Sequence, residues 1–254
     1  MIAARIRSMA SPHWLGLYGV ILGAWALLYA MALPADLRAA GAVYGLELLA
    51  SLCVVAPDGG GYVGLVAMWV IMSAAMMAPT ALPAFAAYED LSARAGGGFG
   101  ALVAGYIGVW IGFSILAAAL QLGLYQAGYL SVFGDSQSWV VSALLLGLAG
   151  AYQFSPLKEA CLTQCRAPLA FFMSHWAEGP WRNGVRLGAV CLGCCWALML
   201  LAFVGGVMNL AFMGLAMVLM ALEKLPEIGR AVTRPLGIVL IASAAAFLVG
   251  AALE

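Results

Sequence analysis

Charge is what this chain has least of. Only 9% of its 254 residues are Asp, Glu, Lys or Arg, while 65% are hydrophobic. Soluble globular domains carry about a quarter charged residues, so that class is excluded. The formal net charge is zero, which leaves no basic excess for a polyanion, and no nucleic-acid partner is expected. Histidine is nearly missing, with His13 and His175 alone. Two imidazoles cannot by themselves build an O₂-activating copper or iron site. The sequence has no Ser-His-Asp set, phosphate-binding loop, dinucleotide fingerprint or His-rich cluster, so a hydrolase or ATPase has no residues to rest on. Arg5 and Arg7 precede the first apolar run without a small-residue cleavage site after it. That run reads as an uncleaved first span.

Long apolar runs are what the chain has instead. They predict an all-α, polytopic transmembrane helix bundle forming one integral membrane domain over 1–254. About seven spans are expected, near 14–33, 64–83, 100–124, 138–154, 187–204, 207–222 and 235–252. Ten of the eleven basic residues lie inside if the N-terminus is cytoplasmic, and only Arg38 lies outside. The expected topology is therefore N-inside and C-outside. The connection Pro34 to Tyr62 is long and external, and its apolar middle, Leu46 to Val55, suits the membrane surface. Ser155 to Arg186 is long and internal. Gly205–Gly206 requires a tight hairpin. Gly19/Gly23 and Gly108/Gly112 have the spacing that lets helices approach closely.

Sulfur is concentrated within these runs. Met68 to Pro83 reads MWVIMSAAMMAPTALP. Met68, Met72 and Met76 are four apart and share a helical face, with Met77 beside them. CLGCCWALM, residues 191 to 199, repeats the spacing in Cys191, Cys195 and Met199, and Cys194 lies at i+3. SPLKEACLTQC places Cys161 and Cys165 four apart, with Lys158 on the same face if the segment is helical. An ammonium there favours the metal-binding thiolate. Two helical cysteine pairs brought together make a four-sulfur site suited to Cu(I) or zinc, and thioethers favour Cu(I). The candidate metal set is Cys161, Cys165, Cys191, Cys194, Cys195, Met72, Met76 and Met77. Packing is the competing reading, since cysteine and methionine both fill buried helix surfaces well. The sixth cysteine, Cys53, stands apart from these motifs.

Other polar features are read more plainly. Met208, Asn209, Met213, Met217, Met220, Glu223 and Lys224 mark the sixth span. The methionines read as packing. Asn209 needs a partner at membrane depth, and Glu223 and Lys224 read as interfacial. Pro79 frees the carbonyl of Ala75 and Pro83 that of Pro79. A kink, an ion or the Thr80 hydroxyl could serve them. His175 reads as an interfacial imidazole rather than a ligand beside Cys161 and Cys165. Gln121, Gln126 and Gln153 read as helix–helix glue.

Across MWVIMSAAMMAPTALP, YQFSPLKEACLTQCRAP and GCCWALMLLAFVGGVMNLAFM, the chain closely resembles a bacterial family of predicted metal-binding integral membrane proteins, a domain of unknown function. The resemblance spans roughly Met68 to Arg234. It implies metal binding, with copper handling suggested, in a multi-pass protein of the bacterial inner membrane. The residues it carries over are Met72, Met76, Met77, Pro79, Lys158, Cys161, Cys165, Cys194, Cys195, Met208, Asn209, Glu223 and Lys224. Delivery or transport of Cu(I) through a Met- and Cys-lined site is the leading expectation, and this is not an enzymatic role. The bilayer is the first partner, and a membrane or soluble protein is the second. The alternative is a membrane subunit of a larger complex, either a metal-dependent oxygenase or a structural assembly.

Overall fold

The computed structural model describes residues 12–33, 52, 59–95 and 98–253. Cys53, Arg5, Arg7, Arg38 and most of the segment Leu46 to Val55 lie outside the described residues. The elements are α1 (Pro12–Met31), α2 (Gly59–Ala95), α3 (Phe99–Gln126), α4 (Trp139–Tyr152), α5 (Pro156–Arg166) and α6 (Pro168–His175). A 3₁₀ turn (Trp176–Glu178) leads to α7 (Pro180–Leu200), α8 (Ala202–Gly205), α9 (Leu210–Glu223) and α10 (Gly229–Leu253). The fold is an all-α bundle. Among the described residues, β structure is limited to one isolated bridge between Leu130 and Ser136.

Five helices are long and apolar enough to cross a membrane: Pro12–Met31, Gly60–Ala93, Phe99–Gln126, Pro180–Gly205 and Gly229–Gly250. The other two expected spans are helices of 14 residues each, α4 and α9. At 1.5 Å per residue each covers about 21 Å of a roughly 30 Å hydrocarbon core. Local chemistry stops them. Pro156 confines Ser155 to extended backbone (φ −73°, ψ 142°), which ends the α4 segment. Ser155 then caps α5 by accepting from the Lys158 amide at 3.1 Å, with Pro156 at the first helical position. The two helices diverge by 61°. Lys224 caps α9, and Pro226 follows within two residues, where it cannot prolong the helix.

Antiparallel packing of α1 on α2 and α2 on α3 forms one half of the core. Trp14 bonds Glu89 at one end, and Trp69 Nε1 donates to Gln121 Oε1 at 2.7 Å toward the other. The Gln121 amide thus joins two helices as expected, whereas Gln153 is buried with neither amide atom hydrogen-bonded among the described residues. Helices α3 and α7 run parallel in close contact. A side chain at Gly184 would overlap the Leu102 carbonyl, and one at Gly188 would meet Val109. Those glycines make the close approach. Among the described residues, Gly19, Gly23 and Gly112 have no neighbour where a side chain would stand and Gly108 only touches Trp181, so the spacing of Gly19/Gly23 and Gly108/Gly112 does not mark the surface packed between these helices.

The proline segment of α2 continues as helix through Pro79 and Pro83. The carbonyl freed at Ala75 accepts from Trp25 Nε1 of α1 at 2.9 Å. A neighbouring indole does the work expected of a kink, an ion or Thr80. The Thr80 hydroxyl donates instead to the Met77 carbonyl at 2.9 Å.

Candidate metal centre

Helix α7 carries Cys191, Cys194 and Cys195 at i, i+3 and i+4, so their side chains meet on one face. All three are at most 2% exposed. Their sulfurs lie within 4.8 Å of one another, and Cys194 Sγ is 3.2 Å from Cys195 Sγ. Sulfurs bound at about 2.3 Å to one ion stand about 4 Å apart. The three thiols therefore need shifts of an ångström or less to share a metal. Thiolate is a soft donor that selects Cu(I) or zinc over hard cations.

The second pair comes from α5, which packs across α7. Cys161 and Cys165 are half-buried. Cys165 lines the same cavity as Cys191. The Cys161 sulfur lies over Gly193, where a side-chain carbon would come within 2.6 Å of it. Gly193 is thus the gap that admits Cys161, and its carbonyl accepts from the Tyr152 hydroxyl at the end of α4. Helix α5 thus sets Cys161 and Cys165 beside the α7 cluster, while among the described residues the sulfurs within 4.8 Å of one another are those of Cys191, Cys194 and Cys195.

The polar wall is different from the one expected. Lys158 lies on the same face of α5 as buried Leu162, four residues on, rather than against the thiols. Its ammonium donates to Glu223 Oε2 at 2.9 Å, both side chains being 1% exposed. The lysine at the thiols is Lys224, which donates to Cys191 Sγ at 2.9 Å and to Thr80 Oγ1 at 2.6 Å. Glu223 and Lys224 are therefore buried, not interfacial, because α5 covers the end of α9. The Tyr106 hydroxyl, on α3, donates to the Met77 carbonyl at 2.9 Å and lies 3.2 Å from Cys191 Sγ. An apolar-walled cavity of about 360 Å³ opens at this point, lined by Pro79, Thr80, Tyr106, Cys165, Arg166, Cys191, Met217 and Lys224 among others.

Other expected residues fall elsewhere. Met72, Met76 and Met77 are buried in the core of α2. What α2 places at the cavity is the Met77 carbonyl, through Tyr106, and the Thr80 hydroxyl. Asn209 is the N-cap of α9, accepting from the Phe212 amide at 3.1 Å. His175 Nδ1 donates to the Phe171 carbonyl at 2.8 Å within its own helix, and His13 pairs with Glu89. Tyr106, Thr80 and Gly193 were not singled out as site residues from the sequence. A tyrosine inside an apolar span, and a lysine at the end of one, are the signals that point to this wall.

Helices long and apolar enough to cross a membrane surround buried, convergent thiols that form a soft-metal donor set. A family model described as a copper chaperone, PpoB2, matches residues 66–247. The chain belongs to this copper chaperone family. No curated protein matches it, and no solved structure does.

Proposed function

We propose that the protein is a multi-pass Cu(I) chaperone of the bacterial inner membrane, with its N-terminus inside and its C-terminus outside. It holds Cu(I) on Cys191, Cys194 and Cys195, and Cys161 and Cys165 exchange the ion with a donor or acceptor. The observation that carries this is the convergence of three α7 sulfurs within 4.8 Å, directly beneath a second cysteine-bearing helix. Family membership supplies the cargo. Three thiolates around Cu(I) carry a formal charge of about −2, and the Lys224 ammonium beside Cys191 offsets part of it. Met72, Met76 and Met77 lie along the helix that reaches this level. They support a path from thioethers to the tighter-binding thiolates. A protein that takes or gives copper is the partner this role requires.

The test is metal analysis of the purified, reduced protein after anaerobic loading with Cu(I). Wild type is expected to retain copper, and a variant with Cys191, Cys194 and Cys195 all replaced by Ser to lose it. Wild type that retains none overturns the proposal. Loading with copper and zinc together decides between the two ions.

A further inference from the structure

Soft sulfur ligands hold Cu(I) far better than water does, so the ion reaches a thiol site as a complex rather than as a bare cation. A Cu(I) ion held by two thiolates is an anion. The 360 Å³ cavity beside Cys191 has the features such an anion needs. Arg166 lines it and its side chain is 8% exposed. Arg166 Nε donates to the Glu223 carbonyl at 2.9 Å and Nη1 to Glu159 Oε1 at 3.2 Å. Nη2 is buried with no hydrogen-bond partner among the described residues. The Lys224 ammonium lines the same cavity with two of its three donors engaged, on Thr80 and Cys191. The same wall carries Cys165 and Cys191. The remaining surface is apolar, which strengthens any charge pairing inside it.

We propose that this cavity binds an anionic Cu(I) complex of a small thiol that bears a carboxylate, a step that rests on the copper reading above. A volume of about 360 Å³ lies within the range of small-molecule sites, and the ligand proposed is a small complex of one Cu(I) with two amino-acid thiols. Arg166 Nη2 and the free donor of Lys224 take the carboxylates and the complex charge. Exchange then proceeds at sulfur. Two Cu–S bonds to the small thiol break, and two form to Cys165 and Cys191. The protons of the two protein thiols leave on the two released small thiols. Copper remains Cu(I), so no electron acceptor or donor is required. From Cys165 and Cys191 the ion passes to Cys194 and Cys195.

The test compares copper uptake by the full-length protein in nanodiscs from two sources. One is the Cu(I)–cysteine complex, which is anionic. The other is Cu(I) in acetonitrile complex, which has no anionic ligand. Arg166→Gln is expected to slow uptake from the cysteine complex about tenfold more than it changes uptake from acetonitrile, the effect of losing one charge-assisted hydrogen bond. Copper-free S-methylcysteine, which keeps the carboxylate but cannot exchange copper, is expected to slow wild-type uptake from the cysteine complex only. That arm needs no variant and decides the matter if Arg166→Gln does not fold. Uptake from the cysteine complex that neither the variant nor S-methylcysteine slows overturns the cavity proposal and leaves the copper reading standing. No uptake from either source overturns both.

Discussion

The Lys224 ammonium lies 2.9 Å from the Cys191 sulfur, although Lys224 ends one helix and Cys191 sits in the middle of another. The contact is buried and charge-assisted. Replacing Lys224 by Met keeps the stem and removes the charge. Cu(I) affinity is expected to fall by about ten- to a hundredfold, the range for losing a hydrogen bond to a charged group. Competition against a chromophoric Cu(I) chelator measures it. An unchanged affinity removes Lys224 from the site.

Lys158 and Glu223 form an ion pair with both side chains 1% exposed. Taking away one partner leaves the other charge buried. Lys158→Met alone, or Glu223→Gln alone, is expected to cost about 3–5 kcal/mol. The double variant Lys158→Met/Glu223→Leu is expected to recover most of that loss. Thermal unfolding in detergent gives both numbers. A double variant no better than either single one contradicts the assignment.

Gly193→Ala puts a methyl group where the Cys161 sulfur lies, at 2.6 Å. The sulfur has to move. A destabilisation of about 1–3 kcal/mol is expected from the overpacking, and copper exchange is expected to slow as much as it does in Cys161→Ser. Stopped-flow transfer to a chelator checks this. Gly193→Ala that exchanges like wild type removes Cys161 from the path.

Trp25 hydrogen-bonds the Ala75 carbonyl at 2.9 Å, the carbonyl that Pro79 cannot serve. Trp25→Phe is expected to cost about 1–3 kcal/mol by stranding a buried acceptor. In a Pro79→Ala background the restored amide of residue 79 takes over, so the same change is expected to cost much less. The coupling is read from a double-mutant cycle in unfolding experiments. Additive effects contradict the cap.

The helices were legible because apolar runs of 20 residues have few alternatives in a bilayer. The thiols were legible because i, i+3 and i+4 spacing puts Cys191, Cys194 and Cys195 on one face whatever surrounds them. The lysines were not. Local periodicity put Lys158 with Cys161 and Cys165, but its partner is Glu223, 65 positions on. Thr80 and Lys224 are 144 positions apart, and no pattern within either segment announces that they meet. The ends of α4 and α9 were legible from local chemistry, since the expected spans 138–154 and 207–222 stop within two residues of Tyr152 and Glu223.

Helix α5 is held by one residue of α9. Glu223 takes Lys158 with its carboxylate and Arg166 with its backbone carbonyl, gripping the helix at its first and last turns. Thr163 and Gln164 on the far side are exposed, while Leu162 faces inward. A single helix, about 10 Å thick, therefore separates this exposed surface from the cysteine cluster, fastened by a two-point clasp. On the copper reading proposed above, an ion leaving the cluster on this side has one clasped helix to pass.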